Sequence, residues 1–265
     1  MKRFVILALS IVIVFSFTGC VNIRRAVNSG SVSATQSNTN TSNADALNSD
    51  NGEAVSETSV TEEVTYEITY NNIMLYKDSL GTVWMQGIVE VTNTGNTNLY
   101  MSSGQFDLED ENGKLIDTKD YVNVYPQVIA PGEKAYYYEE TTLDGIDENA
   151  SVKIAPRVKA EKAKVDQILF KSFDESLKDK QFGGLELTGR VENTSSDECS
   201  YAQIVVILFD SNDKPIGVLT DTILDTVAPG EKLGYKATSF SLPDSITSSV
   251  VARYEIYAYS YQYQF

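Results

Sequence analysis

The chain of 265 residues contains no histidine and only two cysteines, Cys20 and Cys199. A metal site built on imidazole or thiolate ligands needs several such residues, so the composition excludes one. Without histidine, no imidazole base is present to activate a serine or cysteine nucleophile. Cys199 also follows Asp197 and Glu198, and neighbouring carboxylates raise the pKa of a thiol. The sequence therefore predicts no catalytic residues, no cofactor and no enzymatic activity.

Basic residues are also scarce. The chain has 21 lysines and arginines against 37 aspartates and glutamates, a formal net charge of −16, which becomes −18 if Lys2 and Arg3 are removed with an N-terminal signal. An acidic surface repels the phosphates of nucleic acids and anionic lipid headgroups. We therefore expect no nucleic-acid partner and no lipid contact other than an anchor.

The N-terminus has the pattern of a secretory signal. Lys2 and Arg3 precede an apolar run, Phe4–Phe17, that is shorter than the ~20 residues of a membrane-spanning helix. The run ends in Phe-Thr-Gly-Cys at Cys20, which resembles the lipobox of bacterial lipoproteins. We predict a signal peptide over 1–19 and a lipid on Cys20 that anchors the protein to the outer face of the cell membrane. The alternative is a secreted protein with a chance cysteine.

Residues 20–62 are rich in serine, threonine and asparagine and contain no aromatic side chain. Such a segment cannot bury enough apolar surface to offset the entropy lost on ordering. We therefore predict a disordered tether. About 40 residues of flexible chain reach roughly 35 Å on average, enough to hold a domain away from the membrane.

The remainder of the chain consists of two similar halves. The pentapeptide APGEK occurs at Ala130–Lys134 and again at Ala228–Lys232, 98 positions later. A second pattern, Val-x-Asn-Thr, starts at Val91 and at Val191, and a third, Leu-x-Asp-x-Asn, recurs between these two in both halves. Because the order is kept and the spacing changes by only two residues, we interpret the halves as a tandem duplication.

Both halves show the period-2 alternation of half-buried strands. Helical periodicity is confined to two short stretches, Val158–Val165 and Asp174–Lys180. Turn residues separate the strand patterns every 10–15 positions, a spacing typical of antiparallel sandwiches. We predict an all-β fold with two tandem immunoglobulin-like antiparallel β-sandwiches, one over 63–160 and the other over 161–265, after the lipoprotein signal and the tether.

Two segments, Phe106–Asp110 and Val206–Asp210, resemble the F-x-L-Y-D signature of the FxLYD domain family. In both halves an Asn-Thr pair precedes the signature and a Pro-Gly-Glu turn follows it, as in that family. Glu109 replaces the aromatic residue in the first half, and Val206 replaces the phenylalanine in the second. The resemblance covers both halves from about Val64. It implies immunoglobulin-like domains on bacterial surface lipoproteins, with no recognised catalytic set.

Two acidic segments offer oxygen ligands of the kind that calcium prefers. Neither has the spacing of an EF-hand loop. A hairpin turn is the alternative that we favour, because Asp, Asn and Gly tolerate left-handed backbone and bond to it. The Pro-Gly pairs of APGEK indicate type II turns for similar reasons. The weak candidate metal ligands are Asp110, Asn112, Asp210, Asn212 and Asp213.

The C-terminus carries a ladder of aromatic residues. If Ile256 and Ala258 face the core, alternation places the following residues on the opposite face: Tyr257, Tyr259, Tyr261, Tyr263 and Phe265. An exposed ladder would be a stacking platform for sugars or a partner surface, whereas a buried one would pack on the other half or on a second copy. Trp84, the one tryptophan, also points outward and either covers the junction of the halves or joins the binding face.

These features predict a non-catalytic cell-surface lipoprotein. It would bind an envelope component, either a cell-wall glycan or a protein, through the aromatic ladder and Trp84. The alternative is a structural spacer or assembly subunit of an envelope complex that has no small-molecule ligand. The two differ in whether the tyrosines are open to solvent.

Overall fold

The computed structural model describes residues 62–181 and 183–263. All regular elements in these two segments are β-strands, and all the strand pairs are antiparallel, which confirms the predicted all-β class. The signal peptide, Cys20, nearly all of the tether and Phe265 lie outside the described residues, as does the side chain of Tyr263.

The first nine strands form two sheets. They are β1 (Tyr66–Lys77), β2 (Val83–Asn93), β3 (Leu99–Met101), β4 (Gly104–Glu109), β5 (Leu115–Tyr125), β6 (Val128–Ile129), β7 (Lys134–Thr142), β8 (Lys153–Arg157) and β9 (Ala160–Lys162). A six-stranded sheet has the order β1-β2-β7-β5-β4-β8, and a small sheet has the order β6-β3-β9. The Asn71 side chain on β1 donates a 2.9 Å hydrogen bond to the carbonyl of Ile154 on β8. The larger sheet therefore nearly closes around its apolar core.

The next seven strands form one sheet. They are β10 (Val165–Leu169), β11 (Lys171–Asp179), β12 (Leu185–Glu192), β13 (Ala202–Phe209), β14 (Pro215–Ile223), β15 (Lys232–Thr238) and β16 (Arg253–Tyr263). Their order is β10-β16-β13-β14-β15-β12-β11. Read from β11, the strands β11-β12-β15-β14-β13-β16 follow one another as β1-β2-β7-β5-β4-β8 do in the first half. An isolated bridge between Cys199 and Val227 takes the position of the β3–β6 pair.

Each half has its own core, and a third apolar cluster lies between the halves. On β2, Met85 and Val89 face the core of the first half, whereas Ile88 belongs to the third cluster. On β13, Ile204 and Val206 face the core of the second half, whereas Val205 joins Ile88 in the third cluster. The predicted alternation is therefore confirmed for both strands, and their outward faces are covered as well.

The two stretches with helical periodicity are not helices. Asp174–Lys180 belongs to β11 except for its last residue, and Val158–Val165 contains β9. The β11 pairing is interrupted by a bulge between Phe173 and Ser176, and Asp174 has a φ of 58°. A bulge inserts one extra residue and so shifts the alternation by one position. The shifted pattern resembles helical spacing in the sequence.

Candidate functional site

The aromatic ladder lies on one face of β16. Tyr257, Tyr259 and Tyr261 belong to the cluster between the halves, whereas Ile256 and Ala258 pack in the core of the second half. The alternation predicted from the sequence is therefore confirmed for these five positions. Because β16 pairs with β13, its tyrosines extend the outward apolar face of β13.

We call this cluster between the halves the tyrosine interface. The first half contributes buried side chains from β2 and β7, which are Ile88, Tyr136 and Tyr138. The second half contributes Val205, Ile207, Phe209, Val218 and Tyr259. Tyr259 is only 2% exposed, so it does not form an open stacking platform in this arrangement. The described tyrosines pack on the other half because both facing sheets carry apolar outward faces, which bury each other.

Charged side chains border one edge of the tyrosine interface. The guanidinium carbon of Arg253 lies 3.6 Å from the centroid of the Phe209 ring, a cation–π contact. Arg253 also donates to a Glu255 oxygen at 2.6 Å, and the Tyr257 hydroxyl donates to the other Glu255 oxygen at 2.9 Å. Together these contacts fix the positions of the Phe209 and Tyr257 rings at the border.

Trp84 lies at the opposite edge. Its ring packs on Phe240 of the second half, with centroids 5.7 Å apart and a tilt of 47°. Its indole N–H donates to an Asp78 carboxylate oxygen at 3.0 Å. Nearby, the Tyr76 hydroxyl donates to the Ser241 carbonyl at 2.7 Å. Trp84 thus contacts Phe240 in the loop between β15 and β16, at the junction of the halves, which is one of the two positions that the sequence left open for it.

Glu140 on β7 also connects the halves. One carboxylate oxygen accepts hydrogen bonds from the backbone N–H groups of Phe240 and Ser241, both at 3.2 Å. Burial raises the pKa of Glu140, and this effect outweighs the Tyr138 hydroxyl and the two N–H groups, which lower it. The carboxylate therefore connects the halves, but its ionised form is disfavoured in the folded protein.

The Glu140→Gln variant should be more stable than the wild type at neutral pH, by no more than about 1 kcal/mol. A raised pKa means that the folded state binds more protons than the unfolded state, so wild-type stability falls as pH rises through the ordinary value of 4.5 and the higher folded value. The glutamine still accepts the N–H bonds without a charge. Urea unfolding at pH 7 and pH 4 measures the difference.

The advantage of the glutamine should largely disappear at the lower pH, where Glu140 is mostly protonated in both states. Glu67→Gln is the control, because Glu67 is exposed on β1 and its replacement changes the net charge equally. An equal gain in stability from both variants would show that overall charge, and not the burial of Glu140, is responsible.

The APGEK turn and the Asn-Thr strand end have the same structure in both halves. Gly132 and Gly230 have φ values of 83° and 76°, and the bond from Glu133 N–H to the Ala130 carbonyl (2.9 Å) closes the predicted type II turn. The Glu133 carboxylate accepts from the Ala130 N–H at 2.8 Å, and Glu231 does the same in the second half at 2.9 Å to Ala228. The glutamate of APGEK therefore caps its own turn, a role the sequence analysis missed.

Asn93 and Asn193 connect these turns to the strand ends, and both are buried. The Asn193 amide nitrogen donates to the carbonyls of Asp197 (2.7 Å) and Val227 (2.9 Å). Its amide oxygen accepts from the Ser195 N–H (3.0 Å) and hydroxyl (2.7 Å). Asn93 makes the same type of bonds in the first half. We call this arrangement the asparagine lock.

The candidate metal ligands lie in two hairpin turns. The Asp110 carboxylate accepts from the N–H groups of Asn112 (2.8 Å) and Lys114 (2.9 Å). Asp210 accepts from Asn212 and Lys214 at the same two distances, and Asp213 pairs with Arg253. Among the described residues, no group of three or more Cys, Asp or Glu side chains is arranged to hold a metal ion. The turn interpretation accounts for all five residues.

Cys199 is buried in the core of the second half, with 3% of its surface exposed. Burial raises the pKa of its thiol, the Ser260 hydroxyl lowers it and the Asp197 carboxylate raises it further. The predicted direction is therefore confirmed, although burial contributes more than the adjacent carboxylate. A buried, protonated thiol is a poor nucleophile.

A cleft of about 310 Å³ opens between the halves at the end of the tyrosine interface. Four tyrosines and three amide side chains are among the residues that line it: Tyr125, Tyr201, Tyr259, Tyr261, Asn123, Gln127 and Gln203. From the sequence, Tyr259 and Tyr261 were expected only as parts of the ladder, and the other lining residues were not predicted. One signal was present, since Tyr201 stands 100 positions after Met101 and is therefore a place where the halves differ.

No protein-family model matches the chain, and a search of curated proteins finds no significant match. The FxLYD resemblance therefore stays a prediction. In segments 62–181 and 183–263, no helix is long and apolar enough to cross a membrane.

Proposed function

We propose that this chain is a non-catalytic, lipid-anchored protein of the bacterial cell surface and that it serves as a structural spacer or assembly subunit. In this proposal, two immunoglobulin-like repeats form one rigid body at the end of the tether. The observation that carries the proposal is the tyrosine interface, in which Tyr259 is 2% exposed. A surface that binds an outside partner must be accessible, whereas this one is used to hold the halves together.

Three observations support the interpretation as tandem immunoglobulin-like repeats. The strand order β1-β2-β7-β5-β4-β8 in the first half matches the order β11-β12-β15-β14-β13-β16 in the second. Each half has a buried asparagine lock, at Asn93 and Asn193. All-antiparallel sheets are also compatible with the immunoglobulin class.

We propose that the protein is not catalytic because its chemically reactive side chains are buried or already hydrogen-bonded within the structure. Cys199 is buried, and the pKa of its thiol is raised. The carboxylate of Glu140 is used by two backbone N–H groups. The turn carboxylates of Asp110 and Asp210 are used in the same way. These groups serve the structure and do not converge on a shared site.

Membrane attachment is proposed from the N-terminal sequence. Lys2, Arg3, the apolar run Phe4–Phe17 and Cys20 have the order found in bacterial lipoproteins. Two acyl chains anchor stably, because each buried methylene adds about 0.8 kcal/mol of membrane affinity. The acidic domains would be repelled from anionic headgroups, so the tether would hold a rigid body away from the membrane.

The rigid-body proposal is tested by a distance measurement between spin labels. Cysteines replace Leu80 in the first half and Leu224 in the second, which are 88% and 82% exposed. Buried Cys199 should remain unlabelled. Pulsed electron–electron double resonance on the mature chain in membranes should give a single narrow distribution of distances between the two spin labels. A broad or two-peaked distribution would contradict the proposal, because it would show that the halves move independently.

The anchor is tested with the same labelled protein. Cys20→Ser should move the protein from the membrane fraction to the soluble fraction of the bacterial host. The distance distribution should remain the same, because the tyrosine interface does not depend on the lipid. If the variant remains in the membrane fraction, Cys20 is not the anchor.

A further inference from the structure

The geometry points to a binding site for an uncharged saccharide in the cleft at the end of the tyrosine interface. This inference goes beyond the proposed spacer function and does not depend on the lipid anchor. The cleft takes residues from both halves: Asn123, Tyr125 and Gln127 from the first, and Tyr201, Tyr259 and Tyr261 from the second. The site is therefore complete only when the halves are packed together.

The walls of the cleft are held in place by hydrogen bonds across it. The Tyr261 hydroxyl accepts from the Gln127 N–H at 2.8 Å, which joins the second half to the first. The Tyr201 hydroxyl accepts from the Tyr261 N–H at 3.0 Å. Tyr259, which is 2% exposed, packs against Tyr261 with ring centroids 5.1 Å apart. A ligand would therefore meet the partly exposed rings of Tyr125, Tyr201 and Tyr261, and because the contacts above already fix the Tyr201 and Tyr261 rings, little side-chain entropy would be lost on binding.

The chemistry of the walls fits a sugar. The face of a tyrosine ring packs on the C–H face of a pyranose, and amide and hydroxyl groups bond to sugar hydroxyls. Asn123 lines the cleft and is exposed, and the Tyr201 hydroxyl accepts one bond and still has its proton to donate. Gln203 does not supply a free amide, because its nitrogen donates to the Asp221 carbonyl at 3.0 Å.

Charge argues against the other ligand classes. The lining contains no lysine, arginine, aspartate or glutamate, and burial raises the pKa of Tyr261 to about 12, so its ring stays neutral at physiological pH. An anionic polymer would also meet a chain of net charge −16. A quaternary ammonium ligand is attracted to aromatic faces, but no carboxylate lines the cleft to pair with it. At about 310 Å³, the volume suits one or two sugar rings.

The test is saturation-transfer NMR and calorimetry on the purified mature lipoprotein in detergent micelles. The probes are two neutral disaccharides, cellobiose and diacetylchitobiose, with choline and a glycerol-phosphate oligomer as competitors for the other classes. At least one disaccharide should bind, and neither charged probe should. Tyr201→Ala should weaken binding about tenfold or more, the loss typical of truncating an aromatic anchor.

Two further variants keep the test decisive. Asn123→Ala removes an exposed amide without disturbing packing, so it should weaken binding even if Tyr201→Ala does not fold. Phe240→Ala, at the Trp84 edge, is the control and should leave binding unchanged. The inference would be overturned if neither disaccharide bound, or if both cleft variants bound a disaccharide as tightly as the wild type does. Preferential binding of choline or of the phosphate oligomer would overturn it as well. The spin-label distances would be unaffected by that failure, so it can be told apart from a failure of the proposed function.

Discussion

Replacing Tyr259 with alanine is expected to lower the free energy of unfolding by about 3–5 kcal/mol, the usual cost of truncating a buried aromatic residue. Tyr259 is 2% exposed and lies between the two sheets. Its removal leaves a cavity that the paired strands β13 and β16 cannot close. The loss should fall on the contact between the halves, because the cores of the two halves do not include Tyr259.

Urea unfolding followed by tyrosine fluorescence and far-UV circular dichroism measures this effect. The wild type should unfold in one transition, since the tyrosine interface couples the two halves. Tyr259→Ala should instead unfold in two transitions, one for each half, and the first of them should occur at a lower urea concentration than the single transition of the wild type. The spin-label distance between the halves should broaden in the same variant.

Two controls separate packing from other effects. Tyr121→Ala makes the same chemical change on β5 at a residue that is 85% exposed, and it should change stability little. Tyr259→Phe keeps the ring, so it should keep most of the stability. If Tyr259→Ala were as stable as Tyr121→Ala, the tyrosine interface would not hold the halves together.

The tyrosine interface shows how much the alternation of residues along a strand can predict about which face each side chain occupies. Period 2 places Tyr257 and Tyr259 opposite Ile256 and Ala258, and this is what the structure has. It also marks β13 as covered on both faces, since Val205, Ile207 and Phe209 are apolar on the outward side. Such two-sided strands are typically buried on both sides. Alternation was used only to predict half-buried strands, and the state of the ladder was left open.

The partner of that outward face could not be predicted from the sequence. β7 contains three consecutive tyrosines, so apolar character does not distinguish the inward Tyr137 from the outward Tyr136 and Tyr138. Sheet-on-sheet docking depends on the shapes of two distant surfaces, and no local pattern encodes it. The choice between packing on the other half and on a second copy therefore required the structure.

The cleft was also beyond local patterns. Its lining comes from Ser103 before β4, the end of β5 with Gln127 just after it, the start of β13 with Tyr201 just before it, and the end of β16. These segments meet only after the halves dock. Tyr201 and Tyr125 have ordinary neighbours in the sequence. Comparing the halves offers partial guidance, because Tyr201 differs from Met101 at the equivalent position. Positions of this kind are where a function specific to one half can arise.

The asparagine lock was partly visible in the sequence. The repeated Asn-Thr and Pro-Gly-Glu patterns indicated that the same turns occur in both halves. They did not show that the asparagine side chain connects the strand end to the turn. Asn193 bonds to the carbonyl of Val227, which directly precedes the turn, and its backbone N–H and carbonyl pair with Glu231 and Gly230 at 3.1 Å and 2.7 Å. Asparagine suits this position because its amide both donates and accepts.

Asn193→Ala is therefore expected to lower the free energy of unfolding by about 2–4 kcal/mol, because buried carbonyls that lose their donor remain unsatisfied. The carbonyl of Val227 is the most affected, since it lies in the core beside Cys199. Asn193→Asp should cost at least as much, because a carboxylate cannot donate and is costly to bury. Urea unfolding at pH 7 measures both variants.

Asn212→Ala is the matched control. Asn212 lies in an exposed hairpin turn, and its side chain makes one long bond of 3.3 Å to Asp210, so its loss should change stability by no more than about 0.5 kcal/mol. Asn93→Ala should reproduce the Asn193 effect in the first half, since its amide donates to Thr97 and Ile129 in the same way. A small effect at both locks would mean that the APGEK turns hold the strand ends through backbone bonds alone. A large effect at one lock only would show that the two halves, despite matching bonds, differ in how much they depend on this asparagine.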